Sequence, residues 1–283
     1  MLQQSITQSS IGDILTAAGK LEKSDVDRIT EYQRKQGLPF GEAAIELNIL
    51  SRKELDLALS KQFDYAYLDS KSTSLSPELV SLFKPFSKVG ESFRDLRSQL
   101  ALKCSNMNGV KKQVAIVSPQ SGDGRSFMAA NLAVMFAQLG QKTLLIDAAI
   151  RNPRQDKIFN LQSKQGLSSY LSGRADLAVI EQVDVLPELS VLSAGPVAPN
   201  PQELLSKESF KHLLQYADEN FDMVLIDTPS SDESADAEII ASQAGACLIV
   251  CRMNKSMTSK ISKLSNRLQD SGVVVFGAVA NEY

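Results

Sequence analysis

Six short apolar runs in the last two thirds of the chain constrain the fold most: QVAIVS at 113–118, KTLLID at 142–147, LSVLSA at 189–194, FDMVLID at 221–227, ACLIVC at 246–251 and GVVVFGAVAN at 272–281. Several are apolar without alternation, the pattern of strands covered on both faces. Amphipathic segments of helical length separate them. The sequence therefore predicts an α/β fold, a doubly wound and mostly parallel sheet. Such a sheet brings the carboxyl ends of its strands to one edge, where ligands are held by the loops that follow.

The loop after the first run is SPQSGDGRSF, small and glycine-containing, leading into a helix that begins near Arg125. Backbone N–H groups of such a loop converge on phosphate oxygens, and the helix N-terminus adds partial positive charge. The pattern GxxxxGK[ST] is not met, because Pro119 stands at the first glycine position and Arg125 at the lysine. Gly122, Gly124 and Ser126 are kept. On these residues alone, a phosphate cradle and a plain strand-to-helix turn are both open readings. Two later runs end in aspartate, LLID at Asp147 and VLID at Asp227, and a parallel sheet delivers both to the loop's edge. There they are placed to hold Mg²⁺ together with the Ser126 hydroxyl; the alternative is that they cap strand ends.

The first 63 residues carry a different signal. Displaced by 29 positions, the segment matches itself: Ile11 on Phe40, Gly12 on Gly41, Asp13 on Glu42, Ala18 on Leu47, Leu21 on Leu50, Val26 on Leu55 and Gln33 on Gln62. Each copy predicts a short helix, a turn and a longer helix, with Ser51 and Glu54 forming a capping box on the last. The polar stretch DSKSTSLSPE then reads as a linker. The expected organisation is a small helical tandem-repeat domain at 1–69, a linker at 70–85 and a nucleotide-binding domain at 86–283.

Composition narrows the partners. A net charge of −3 lacks the basic excess of a dedicated nucleic-acid binder. No apolar run approaches the ~20 residues of a bilayer-spanning helix, and MLQQSITQSS lacks the charged and apolar regions of a signal peptide, so a cytoplasmic location without direct membrane insertion is expected. Cys104, Cys247 and Cys251 form neither a disulfide framework nor a metal motif, and the latter two read as core thiols. His212, in a polar-faced helix with no companion ligands, reads as a surface residue.

Taken together, SPQSGDGRSFMAANLAVMFAQLGQKTLLIDAAIRNPR resembles the Walker A and A′ region of the bacterial tyrosine kinases that regulate exopolysaccharide chain length. VLIDTPSSDESADA resembles their Walker B segment, GPVAPNPQELL a characteristic loop, and GAVAN the strand closing the nucleotide pocket near Asn281. ESFRDLRSQL is similar to their ExxRxxR oligomerisation motif. The resemblance covers about residues 85 to 283, with the motifs in family order, and the combination with the N-terminal repeat is similar to the chain-length-determinant kinases of EpsG type. It implies ATP and Mg²⁺ as ligands. Ser121, Gly122, Asp123, Gly124, Arg125, Ser126, Phe127 and Asn281 would contact the nucleotide, and Ser126, Asp147 and Asp227 the metal. Arg125, Asp147, Asp227 and Arg151 would carry catalysis. It further implies homo-oligomers through Glu91, Arg94 and Arg97, which could otherwise form a solvated helix face. A separate membrane-embedded chain-length determinant would be the activating partner and would bring the chain to the inner membrane.

Three departures bear on mechanism. Arg125 replaces the Walker lysine, and its planar fork is longer than an ammonium. Ala149 stands where the DxDxR motif has its second aspartate, and Tyr283 stands alone where the family has a tyrosine-rich tail. A kinase, with residual ATPase activity, and a nucleotide-gated pseudokinase both remain open. A partitioning or division-site ATPase is disfavoured, since Gln120 occupies the position of that group's signature lysine. The N-terminal repeat is similar to the tandem modules of type II secretion and pilus ATPases. In related modules an arginine at the start of each copy binds cyclic-di-GMP; Ser10 and Pro39 stand there instead, and Asn48 replaces the second copy's glycine. Docking to a protein partner is the expectation, not cyclic-di-GMP binding.

Overall fold

The computed structural model describes residues 10–62, 73–105 and 112–282. The chain divides into two compact units, Met1–Tyr67 and Leu68–Tyr283. In the first, α1 (Ile11–Ala17) and α2 (Lys23–Gln36) are followed by α3 (Phe40–Glu46) and α4 (Arg52–Gln62). The bounds of α3 are those of α1 displaced by the 29-residue repeat, and α4 begins 29 residues after α2. Ser51 caps α4 through Glu54 as the sequence predicts, with Oγ and N–H both donating to the Glu54 carboxylate at 2.8 and 3.1 Å. Those bonds, with Lys20, hold the carboxyl down at about 2. The turn residue Gly19 (φ +67°) recurs as Asn48 (φ +55°), one of the few side chains that tolerate the left-handed region. Leu15, Leu21, Ile29, Ala43, Ala44, Leu50 and Ala58 form the small core.

The second unit is a seven-stranded sheet. Its strands are β1 (Gln113–Val117), β2 (Thr143–Asp147), β3 (Glu181–Val183), β4 (Leu186–Leu192), β5 (Met223–Asp227), β6 (Ala246–Arg252) and β7 (Val274–Asn281). The order is β3-β4-β2-β5-β1-β6-β7, parallel throughout except for the β3–β4 hairpin. Period-two alternation sorts each buried strand between two cores. Val114 and Ile116 of β1 face α7 (Arg125–Ala137) with α6 (Lys88–Ser105) beyond it, while Ala115 and Val117 face α11 (Glu208–Asn220) and α12 (Asp236–Ala244). Every residue of α7 from Met128 to Ala137 is buried, all but Asn131 of them apolar, so this helix is fixed along its length. The hairpin strand β3 escaped the sequence reading because three residues at a sheet edge leave no apolar run.

The linker expectation at 70–85 needs correction. Residues 70–72 lie outside the described residues, but 73–83 pack as part of the second unit. Leu75, Leu79, Leu82 and Phe83 join the core beneath α7, and the Ser76 N–H donates to the Ile158 carbonyl at 2.9 Å. The serines masked a helical spacing of leucines. Asn131, fully buried in α7, pins this segment: its Oδ1 accepts from the Ser81 N–H and its Nδ2 donates to the carbonyls of Glu78 and Phe127, all at 2.9 Å. Asn131→Ala leaves the buried Ser81 N–H without an acceptor, so unfolding of the second unit in urea should show a loss of about 2–3 kcal/mol.

Candidate functional site: a phosphate loop over two buried aspartates

The loop 118–124 runs from the end of β1 to the N-terminus of α7, whose N-cap Gly124 has φ +99°. A β-carbon there would also lie 2.1 Å from Asn281 Nδ2, so only glycine fits. The loop's shape is braced by Asp123, which is buried: its carboxylate accepts from the Gln120 N–H at 3.0 Å and from the Ser256 hydroxyl at 2.8 Å. Asn281 Nδ2 donates to the Asp123 carbonyl at 3.3 Å. The Asp123 side chain, expected at the nucleotide, thus serves the loop itself, as a carboxylate turned towards phosphate would repel it. Ser121, Gly122, Gly124, Arg125, Ser126, Phe127 and Asn281 all line a cavity of about 1110 Å³, ample for a nucleoside triphosphate. Phe127 meets Phe93 of α6 edge-to-face, with ring centroids 5.7 Å apart.

Arg125 departs from expectation. Its guanidinium turns back under the loop, with Nε donating to the Thr228 carbonyl at 2.8 Å and an η nitrogen to the Gln120 carbonyl at 2.9 Å and to the Ser118 hydroxyl. Burial pulls its pKa below the ordinary value, against the opposing pull of nearby Asp227, Glu233, Asp123 and Asp232. The fork expected to grip phosphate oxygens instead ties the loop to the end of β5.

Register places Asp147 of β2 directly opposite Asp227 of β5, both fully buried. The Asp147 oxygens accept three backbone N–H bonds, from Ala149 at 3.1 Å and from Arg154 and Gln155 at 2.9 Å each. That carboxylate caps α8 (Gln155–Ile158) and folds the turn carrying Ala149 and Arg151. Gln155, which no spacing in the sequence singles out, donates through Nε2 to Asp227 Oδ2 at 2.8 Å and to the Ser126 carbonyl at 3.2 Å. The Ser126 side chain lies beside Asp227 and eases the upward push of burial on its carboxyl. Asp227 Oδ1 is buried without a partner. This open oxygen beside a hydroxyl, at the foot of a phosphate loop, fits Mg²⁺, which takes few protein ligands and keeps water and phosphate oxygens. Among the described residues no group of three or more His, Cys, Asp or Glu side chains gathers around a metal position. Of the residues expected at the metal, directly or through water, namely Ser126, Asp147 and Asp227, Asp147 is occupied with backbone amides, which leaves the Asp227 Oδ1 and the Ser126 hydroxyl as the open oxygens.

The remaining residues lie apart. Arg151 is exposed and pairs with the buried Asp236, Nε to Oδ2 at 3.3 Å, away from the cavity lining. Ala149 does line the cavity. Arg154, unremarked in the sequence, grips Glu78 at its mouth with bonds of 2.8 and 2.9 Å. In α6, Arg94 pairs with Glu91 and donates to the Pro85 carbonyl, and Arg97 donates to the Met135 carbonyl at 3.4 Å, so both arginines bind their own domain. Cys247 and Cys251 are buried in β6, and burial pushes the Cys247 thiol up to about 12. His212 is exposed on α11. Tyr283 lies outside the described residues.

A family model described as ParA, NUBPL iron-transfer P-loop NTPase, matches residues 109–282. The tyrosine-protein kinase YwqD of Bacillus subtilis is 33% identical over 75% of this chain and 89% of that protein. The tyrosine-protein kinase Etk of Escherichia coli is 31% identical over 71% of this chain and 28% of its own length. The chain belongs to the bacterial tyrosine-protein kinases of the capsule and exopolysaccharide type, on the ParA-like P-loop NTPase fold. Solved structures agree: the kinase domain of the Escherichia coli tyrosine kinase Etk matches with a TM-score of 0.69 at 30% identity, covering 74% of this chain and 81% of that one. The chimerical protein CapA2B2 gives 0.68 at 30%, covering 80% and 97%. The kinase fold makes the phosphate loop a nucleotide site.

Two outcomes follow from the site. Gly124→Ala, strained in backbone and pressed against Asn281, should weaken ATP binding at least tenfold in a fluorescent-analogue titration while circular dichroism stays unchanged. The second concerns pH. Burial and the neighbouring Asp227 push the Asp147 carboxyl up to about 7, and burial raises Asp227 as well. The folded protein keeps a proton on this pair where the unfolded chain has released it. Nucleotide-free stability should therefore fall as pH rises from about 4 to about 7. Asp227→Asn, which keeps the Gln155 bond, should flatten that slope in thermal melts and abolish the Mg²⁺ dependence of nucleotide binding.

Proposed function

We propose that the chain transfers the γ-phosphoryl group of ATP to protein tyrosine in exopolysaccharide assembly. The observation carrying this reading is the open Asp227 oxygen beside Ser126 under the glycine loop. The nucleotide triphosphate lies along the loop N–H groups of 121–126, with the base end towards Asn281 and Arg252. Mg²⁺, held by Ser126 and Asp227, supplies charge neutralisation on the phosphates. Arg125 fixes the loop's position relative to β5, and Asp147 holds the turn that presents Ala149 and Arg151. Arg151 steadies the acceptor or its new phosphate after release from Asp236. Phosphoryl transfer through a loose transition state depends mainly on such positioning and charge balance, so the lost Walker lysine and aspartate slow it without removing it.

The partner in this reading is a membrane-embedded chain-length determinant, which brings the kinase to the inner membrane from the cytoplasm. No described helix is long and apolar enough to cross a membrane. Copies associate through the face of α6 bearing Glu91, with Arg94 and Arg97 exchanging their own-domain bonds for a neighbour's. The N-terminal unit, akin to secretion and pilus ATPase modules, docks a protein: Ser10 and Pro39 serve as helix N-caps of α1 and α3, not as phosphate-binding arginines. The nucleotide-gated pseudokinase gains no support from the relatives, which are named as kinases.

The test is purified protein with labelled ATP and Mg²⁺, alone and with the partner's cytoplasmic tail. Label on Tyr283, lost in Tyr283→Phe, supports the kinase; tight ATP binding with no labelled tyrosine overturns it. Ala149→Asp should raise the transfer rate severalfold.

A further inference from the structure

We propose that Glu233 is a catalytic residue of this kinase, the carboxylate that accepts the proton of the tyrosine hydroxyl in place of the aspartate missing at Ala149. The proposal rests on the kinase reading above. Most other carboxylates around the phosphate loop are already engaged. Asp123 is held by Gln120 and Ser256, and Asp147 by three backbone amides. Asp227 is buried below the loop against Gln155 and Ser126, and Asp236 is buried in its pair with Arg151. Of the three glutamates lining the cavity, Glu78 is gripped by both bonds from Arg154, and Glu282 follows Asn281 at the end of β7, on the base side.

Of the cavity's carboxylates, Glu233 and Glu282 carry no side-chain ion pair or hydrogen bond among the described residues, and only Glu233 stands in the loop that follows Asp227. It lines the same cavity as Ala149, Gly124, Arg125 and Ser126, and among the described residues its side chain has neither an ion pair nor a hydrogen bond. It stands six residues after Asp227, in the loop joining β5 to α12, where its N–H donates to the Ser230 carbonyl at 3.2 Å. Its charge acts on Arg125, as does that of the neighbouring Asp232. It is also solvent-exposed, so an accepted proton can leave to water. Ala149, by contrast, presents a methyl group to the same space, leaving room for a longer side chain to reach in from the opposite loop.

The tyrosine oxygen bonds to the γ-phosphorus as the bond from that phosphorus to the β–γ bridging oxygen breaks. ADP departs with the electron pair, and the hydroxyl proton passes to the Glu233 carboxylate and on to solvent. A proton acceptor of this kind is typically worth about 10²–10⁴ in rate, less where the transition state is loose.

The experiment uses the full chain with MgATP, reading autophosphorylation beside the affinity for a fluorescent ATP analogue. Glu233→Gln should lower kcat at least tenfold while KM for ATP and the analogue's Kd stay within threefold. Asp232→Asn removes the same charge one residue away, on an exposed side chain outside the cavity lining, and should leave both unchanged. Adding Ala149→Asp to Glu233→Gln should restore most of the lost rate. Three results overturn the proposal: Glu233→Gln transferring normally, Asp232→Asn doing equal damage, or Ala149→Asp failing to rescue. Absence of transfer from the native chain overturns the kinase reading and this proposal with it; normal transfer from Glu233→Gln overturns the role of Glu233 alone.

Discussion

Two carboxylates face each other at the ends of adjacent parallel strands, wholly out of water, and the rest of the site is arranged to tolerate them. Taking a charge out of water costs several kcal/mol unless it is paired or hydrogen-bonded. Here Asp147 is met by three backbone amides and Asp227 by Gln155 and Ser126, yet one Asp227 oxygen is left open. The amides that satisfy Asp147 belong to the turn 148–155, so the same demand shapes the segment carrying Ala149 and Arg151. Burial above all, with the Asp227 charge added at Asp147, pushes these carboxyls up, and a divalent cation at the open oxygen would offset both effects. Nucleotide loading with such a cation would then be linked to the protonation of the sheet's edge.

Arg125 shows how a motif letter can keep its charge and change its work. In a lysine the charge would sit at the end of a flexible stem; the guanidinium instead spreads its donors over Thr228, Gln120 and Ser118. The loop is thus clamped from below by Arg125, from within by Asp123 and from the side by Asn281. Phosphate contacts would then fall to the backbone N–H groups and the start of α7, which do not depend on which cation occupies position 125.

Much of this was legible in the sequence because it rests on period and punctuation. The strands declared themselves as unbroken apolar runs, the helical repeat by its 29-residue offset, and the two aspartates by closing their strands. What stayed hidden depends on contacts distant in the chain. Gln155 acquires its role only because Asp147 folds the intervening turn; Arg154 because Glu78 lies against it; and Ser256 because β6 ends beside the loop. The β3 strand was too short to show a period, and the direction of the Arg125 fork is settled by the Thr228 carbonyl, 103 residues away. The nucleotide-contacting residues that the family resemblance names line one cavity, all but Asp123, whose buried side chain is given to the loop by two hydrogen bonds.

The leucines of residues 73–83 bear on how this protein can be divided. Composition places the start of the kinase unit near residue 86, after the serine-rich stretch. A chain cut there would lose Leu75, Leu79, Leu82 and Phe83, all buried against the helix that begins at the phosphate loop. It would also strip Asn131 of its backbone partners at Glu78 and Ser81. The exposed flank would be an apolar, sticky surface running to the base of the nucleotide site. A shortened kinase that keeps residue 73 onward retains its own wall, and one that does not would be expected to find that wall in a neighbouring molecule.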